Sequence, residues 1–342
     1  MRLSIIVPAY NNAGDLLECL TALARSAPVD SEILVVDDAS TDDTAARTEA
    51  AGFIVLRCSA NGGPGAARNE GSRAVCGDIL FFVDADVIVA PDAIDRVLKA
   101  FAADAELAAL FGSYDARPRD PGVISRYWNL RHHFVHQHGN PNASTFWAGC
   151  GAIRRAVFEA IGGFDVTRFT RPSIEDVELG YRLRAAGYRI RLDKDLQGTH
   201  LKRWTLLSVL RTDVNQRAIP WARLVLESGA VLDDLNLKWG QRLSAILVAL
   251  AGLFLAVGVF RTWYLGLAAG AVIGILILNR QLYALFFRQY GLRFMAACIP
   301  LHFLYYLYSG LSYVLVWSVF RLQLRDRRAP RSRVKSGSRH ER

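Results

Sequence analysis

Short apolar runs at residues 3–7, 32–36, 53–57 and 79–89 alternate with segments of helical spacing along the first ninety residues. Runs of this length, with few polar interruptions, are those of strands buried on both faces. Pro8 is expected to stop the first. Between them, residues 13–25 place Leu16, Leu20 and Leu23 on one helical face, and residues 42–50 follow Ser40, Thr41 and Asp42, which offer N-cap oxygens. Residues 66–74 form a third helix after the glycine-rich loop 61–65. Strand and helix alternating in this way predict an α/β fold, a mostly parallel twisted sheet flanked by helices.

In open sheets of this kind ligands sit beyond the carboxyl ends of the strands. Four polar clusters fall there: Tyr10; Asp37 with Asp38; Asn61–Gly65; Asp84 with Asp86. The last pair, an Asp-x-Asp (DXD) motif, closes an apolar run. Two carboxylates at a buried strand end need compensation, and Mg²⁺ or Mn²⁺ supplies it while keeping coordination positions open for phosphates. A solvated acidic turn is the plainer alternative. The loop Gly62-Gly63-Pro64-Gly65 lacks G-x-G-x-x-G spacing and follows the third strand rather than the first, which argues against a dinucleotide cofactor.

Beyond residue 243 the pattern changes. Residues 243–260, 263–278 and 295–320 are long apolar runs, of the roughly 17–25 residues a membrane helix needs. The first two form a hairpin with Trp263 and Tyr264 as interface anchors, and the amphipathic stretch 280–293 is expected at the interface or in a loop. The third contains Pro300, His302, Tyr305, Tyr306 and Tyr308, so it either spans or re-enters. These runs account for a mean hydropathy of +0.17. The net charge of +9 is concentrated in residues 321–342, where eight Arg and one Lys face one Asp and one Glu, leaving about +2 elsewhere. That tail has no aromatics for base stacking; it is expected to be disordered and to suit an anionic membrane surface rather than nucleic acid. Five scattered cysteines without a CxxC pair fit a reducing compartment, and no leader is expected before the strand at residue 3. The expectation is a multi-pass protein of the cytoplasmic (inner) membrane whose N-terminal part faces the cytosol. Two crossings keep the basic tail on that side and three do not.

The segments SIIVPAYN (4–11), ILVVDDASTDDT (33–44), NGGPGAARNEG (61–71) and FFVDAD (81–86) resemble the successive motifs of family 2 glycosyltransferases. The resemblance continues through GCGAIRRAVFEAIGGFD (149–165) and IEDVELGYRLRAAGYRI (174–190), and covers about residues 1–240. It implies a GT-A nucleotide-sugar-binding fold in residues 1–240; the apolar runs and the charge pattern add helices in 241–320 and the tail in 321–342. It also implies a nucleotide-sugar donor, UDP- or GDP-linked, and an inverting displacement. Pro8, Tyr10, Asn11 and Asp37, with Asp38 second, would meet the nucleotide. Asn61 and Gly63 would shape the loop from which Arg68 reaches the diphosphate. Asp84 would face ribose or metal, Asp86 the metal, and His200 would be a third metal ligand. Asp176 would be the general base, and Arg203 a second diphosphate contact. A Gln-x-x-Arg-Trp pattern is absent, which argues against a processive synthase. The membrane runs suggest a lipid-linked acceptor in cell-envelope glycan or glycolipid synthesis. The alternatives are a soluble or protein acceptor, or a non-catalytic nucleotide-sugar-binding protein. Residues 114–147 read as a variable acceptor-facing loop whose Trp128, Phe134 and Trp147 offer a membrane-facing side. Its histidines have no carboxylate or Cys to complete a zinc site.

Overall fold

The structure, a computed structural model, describes residues 1–229 and 234–328. The first half contains β1 (Leu3–Ala9), α1 (Leu16–Ser26), β2 (Glu32–Asp37), α2 (Thr44–Ala50), β3 (Ile54–Arg57), α3 (Pro64–Ala74), β4 (Ile79–Val83), β5 (Val87–Val89) and α4 (Ala93–Ala103). Then come β6 (Leu107–Tyr114), α5 (Val123–Gln137), β7 (Cys150–Arg154), α6 (Arg155–Ala160), α7 (Glu175–Ala185) and β8 (Arg189–His200). The last part is helical: α8 (Leu206–Thr212), a π-helical turn (Asp213–Ala218), α9 (Ile219–Ser228), α10 (Trp239–Gly258), α11 (Trp263–Leu278) and α12 (Arg280–Arg328).

One eight-stranded sheet runs β3-β2-β1-β4-β7-β6-β8-β5. β3, β2, β1 and β4 are parallel, whereas β7 and β5 pair antiparallel with their neighbours. The period of two along each strand sorts the core. Ile5, Val7 and Phe81 pack under α1 and α4, while Ile6 and Phe82 face α3, α6 and α7. β1 runs through Pro8, which pairs opposite Val36. The run 79–89 is not one strand. It bends at Asp84, whose carbonyl accepts the Val87 N–H at 3.0 Å, so that β4 sits mid-sheet and β5 on the far edge. A turn here puts Asp84-Ala85-Asp86 where both carboxylates leave the apolar layer.

Residues 114–147 are not loop throughout: their middle is the helix α5, Val123–Gln137. Tyr127, Trp128, Leu130 and Arg131 of α5 are buried, packed in part on Trp204 and on Leu282, Tyr283 and Phe286 of α12. The expected interfacial stretch 280–293 is therefore helical and docked on the sheet domain up to Gly291, where φ of 79° interrupts α12. Trp147 is likewise packed into the cores of the sheet domain rather than turned to a membrane.

Two helices, Trp239–Gly258 and Arg280–Gln323, are long and apolar enough to cross a membrane, and α11 is a shorter apolar helix. Their outward side chains are apolar: Leu253, Leu255, Phe260, Ile273, Leu311, Val314 and Leu315 are exposed. Inward, polar groups join the helices. The Tyr306 hydroxyl lies 2.9 Å from Gln241 Oε1 and 2.8 Å from Asn279 Oδ1, and Asn279 Nδ2 donates to Ser244 Oγ at 3.0 Å. Of the expected tail, residues 321–328 continue α12, and the rest lies outside the described residues.

The tightest approach beside the sheet is at Gly180 of α7, where an added Cβ would lie 2.3 Å from the Phe146 backbone nitrogen. Gly180→Ala should push α7 outward and destabilise the protein by about 1–3 kcal/mol. A thermal midpoint in detergent equal to wild type would refute this packing.

Candidate active site

The site grows from the turn after β4. Asp86 is three-quarters buried, and its Oδ2 lies 3.6 Å from His200 Nε2. β5 brings the two together, because Val87 pairs with His200 and Leu201 donates its N–H to the Asp86 carbonyl at 2.9 Å. The His200 ring is stacked on Tyr114 at 4.2 Å, which fixes its plane. Burial works to raise the Asp86 pKa, but His200, Lys202 and the residue's own N–H outweigh it and hold the carboxyl below the usual range. Asp86 is thus anionic with a fixed imidazole beside it. This donor set fits one divalent cation, which Asp86 and His200 would hold with Asp84 at the rim, and which would supply charge stabilisation to a departing diphosphate. Among the described residues no three His, Cys, Asp or Glu side chains group as a metal site, and Asp84 is turned to Arg68 rather than joined to Asp86 and His200; the other positions of a cation held by that pair would be open to phosphate oxygens.

Arg68 is not a surface arginine. It is 4% exposed on α3 and spans the site: Nη2 bonds Asp84 Oδ1 at 2.6 Å and Nη1 bonds Glu175 Oε1 at 3.1 Å. Its Nε has no partner. Glu175 also accepts the Ser173 N–H at 2.9 Å. The Glu-Asp pair at the start of α7 is thereby divided. Glu175 turns to Arg68, while Asp176 lines the cleft, with Oδ2 accepting the Ala148 N–H at 3.1 Å and Oδ1 its neighbour Val177's at 2.7 Å. Burial, then the charge of Glu175, pushes the Asp176 carboxyl up to about 7, against the pull of Arg68. A carboxyl poised there is suited to take a proton near neutrality.

At the other end, Pro8, Tyr10, Asn61 and Gly63 line the same cleft of about 620 Å³. Both Asp38 oxygens hold the glycine loop, accepting the Gly62 and Gly63 N–H groups at 2.9 and 2.8 Å, and Asn61 Nδ2 donates to the Asp38 carbonyl. Gly63 needs its φ of 84°, and a Cβ there would meet the Arg171 backbone at 3.3 Å. Asp37 is buried just behind the cleft wall, with Oδ1 unpartnered. Asn11, with a φ of 49°, uses Oδ1 to accept the Thr41 N–H; it is exposed and does not line the cleft. The expected Arg203 side chain points away: it is 83% exposed and lies near Asp120. Lys202, which sequence reading passed over, takes the cleft position, with its Nζ 4.5 Å above the Trp204 ring. Tyr114, Trp128, Arg131, His132 and Arg217 also line the cleft. None stands in a motif, and only packing of α5 and the π-helical turn reveals them.

Residues 4–162 match the sequence profile of glycosyl transferase family 2. Validoxylamine A glucosyltransferase of Streptomyces hygroscopicus subsp. limoneus is 29% identical over 232 residues, covering 57% of this chain and 51% of its own length. The poly(ribitol-phosphate) beta-glucosyltransferase of Bacillus spizizenii is 34% identical over 104 residues, 28% of this chain and 16% of its own. The chain thus spans about half the length of the first of these relatives and less of the second. A mannosyltransferase from Pyrobaculum calidifontis, solved with GDP-Man and Mn²⁺, superposes with a TM-score of 0.58 at 21% identity, over 91% of this chain and 86% of that one. S. aureus TarS 1–349 gives 0.51 at 19%, over 94% and 92%. At such identities the likeness establishes the fold, GT-A.

With Asp176 as base, the rate should fall as pH drops through about 7, where the carboxyl gains its proton, and level off above. Asp176→Asn should lose on the order of 10²–10⁴-fold in kcat with donor affinity kept. An unchanged rate, or a pH profile flat from 5 to 8, would remove Asp176 from that role.

Proposed function

We propose that this chain, a glycosyltransferase whose N-terminal domain belongs to family 2, moves a sugar from a UDP- or GDP-linked donor to a lipid-linked acceptor at a membrane surface. One observation supports the reading above others: the Asp86–His200 pair and the poised Asp176 line one cleft, and α12 packs beside it on α5. The family 2 match and the GDP-Man and Mn²⁺ held by a structural neighbour agree with a nucleotide-sugar donor and a divalent metal.

Each residue has a task. Pro8, Tyr10 and Asn61 border the nucleotide end, with Asp37 buried beside it, Asn11 bound to the Thr41 N–H, and Asp38 fixing the loop. Asp86 and His200 would hold Mg²⁺ or Mn²⁺, which would offset charge on the departing diphosphate, with Lys202 as the cation in the cleft in place of Arg203. Arg68 keeps Asp84 and Glu175 in register rather than serving as a free phosphate ligand. Asp176 takes the proton of an acceptor hydroxyl as its oxygen attacks the anomeric carbon. The bond to the diphosphate breaks on the opposite face, and one displacement inverts the centre. The exposed apolar faces of α10, α11 and α12 would lie in the cytoplasmic membrane, with the cleft on the cytosolic side, where nucleotide sugars are.

The test is transfer of label from a panel of UDP- and GDP-sugars by purified protein, with and without a bacterial lipid extract. Label should enter the lipid fraction, stop with EDTA and return with Mn²⁺ or Mg²⁺. Transfer to soluble acceptors alone would overturn the lipid acceptor, and full activity in EDTA would overturn the metal.

A further inference from the structure

Among the described residues Arg131 is a buried cation without a paired carboxylate. Only 6% of it is exposed, its Nε has no partner there, and its Nη1 makes a long hydrogen bond, 3.4 Å to Asn236 Oδ1. Asp213, which acts on it from farther off, is already bound to Arg217 at 3.2 Å and to the Tyr308 hydroxyl. An unpaired buried charge is costly, and a protein keeps one where a ligand completes it. Two aromatic rings lie against the guanidinium, with Cζ 4.5 Å from the Trp128 ring centre and 3.8 Å from that of Tyr305. Stacking between rings holds the group but leaves its N–H edge unsatisfied. A planar fork so clamped is prepared for an oxyanion that accepts two parallel hydrogen bonds. Arg217 stacks on the same Trp128 at 5.0 Å, on a π-helical turn, a distortion common at functional sites.

The pair sits at another part of the cleft from the donor diphosphate proposed at Asp86 and His200: ring contacts run from His200 to Trp204 at 6.3 Å and from Trp204 to Trp128 at 5.9 Å, and both arginines lie on Trp128. Arg131 instead lies where the cleft meets α12, and Tyr305 and Tyr308 come from the apolar stretch of that helix. We propose that Arg131 and Arg217 form a phosphate site for the acceptor: the acceptor is a lipid bearing a phosphate or diphosphate, gripped here, while a hydroxyl elsewhere on its head group reaches Asp176. This rests on the acceptor reading above and adds to it the charge of the acceptor and the residues that read it.

The probe is citronellyl phosphate, a short prenyl phosphate, titrated calorimetrically into the full-length protein in neutral detergent, with citronellol and inorganic phosphate in parallel. Wild type should bind the prenyl phosphate more tightly than either. Arg131→Gln should weaken it about 10- to 100-fold, the range for losing a charged hydrogen-bonding pair, and Arg131→Lys should recover part of the loss. UDP or GDP binding with Mn²⁺ should be equal in all three proteins. Equal binding of citronellyl phosphate by wild type and Arg131→Gln would overturn the site. So would citronellol binding as tightly as its phosphate, or loss of nucleotide binding in both variants, which would make Arg131 structural. Inorganic phosphate binding as tightly as the prenyl phosphate would overturn the lipid source. Failure of the acceptor reading itself would appear separately, as absence of label in the lipid fraction of the transfer assay.

Discussion

The site depends on one buried ion triad. Arg68, enclosed on α3, holds Asp84 of the turn after β4 and Glu175 at the start of α7. Its partners lie 16 and 107 residues away in the chain. Taking one arginine out of water costs several kcal/mol, so the arrangement persists only with both carboxylates in place. The triad therefore sets the spacing between two elements with separate chemistry: the turn that offers Asp86, and the helix that offers Asp176. The glycine loop is fixed in the same manner, by the two Asp38 oxygens on consecutive backbone N–H groups. Side chains that look like ligands in the sequence thus divide into those that build the cleft and those left free inside it.

That division decides the electrostatics. Asp86 stays ionised because His200 and Lys202 face it, while Asp176, near Glu175 and poorly solvated, is driven toward neutrality. Two carboxyls in one cleft, pushed in opposite directions by their surroundings, can serve as metal ligand and as base at a single pH. At the far end, α5 and α12 close the cleft with stacked aromatic and guanidinium groups, and this joins the sheet domain to the apolar helices.

Much of this was legible in the sequence. Buried parallel strands announce themselves as apolar runs, and the strand-end rule places Tyr10, Asp37 with Asp38, Asn61–Gly65, and Asp84 with Asp86 at one edge; of these Tyr10, Asp38, Asn61, Gly63, Pro64, Asp84 and Asp86 line the cleft and Asp37 does not. The second half was less legible, because its antiparallel pairings join distant segments that local periodicity does not encode. The bend at Asp84 was hidden inside an unbroken apolar run. Helix α5 was read as loop because its buried face mixes Arg and His with aromatics, and these are buried by stacking rather than by apolarity. Lys202 and Arg203 show how fine the limit is: one residue of facing decides which cation enters the cleft and which meets solvent. The sequence ranks Asp37 ahead of Asp38, and the structure places them the other way round: Asp38 lines the cleft and takes both loop hydrogen bonds, while Asp37 is buried outside it with an unpartnered oxygen.

The most direct measurement concerns Arg68→Met, which keeps the bulk and removes the charge. Mn²⁺–nucleotide affinity and the pH midpoint of transfer are measured on the same preparation. If Arg68 couples the two ends, donor affinity should fall as the Asp84 turn loosens. The pH midpoint should also rise above about 7, because Arg68 draws the Asp176 pKa down in the native protein. A folded variant with wild-type affinity and an unmoved midpoint would contradict the claim that this triad organises the site.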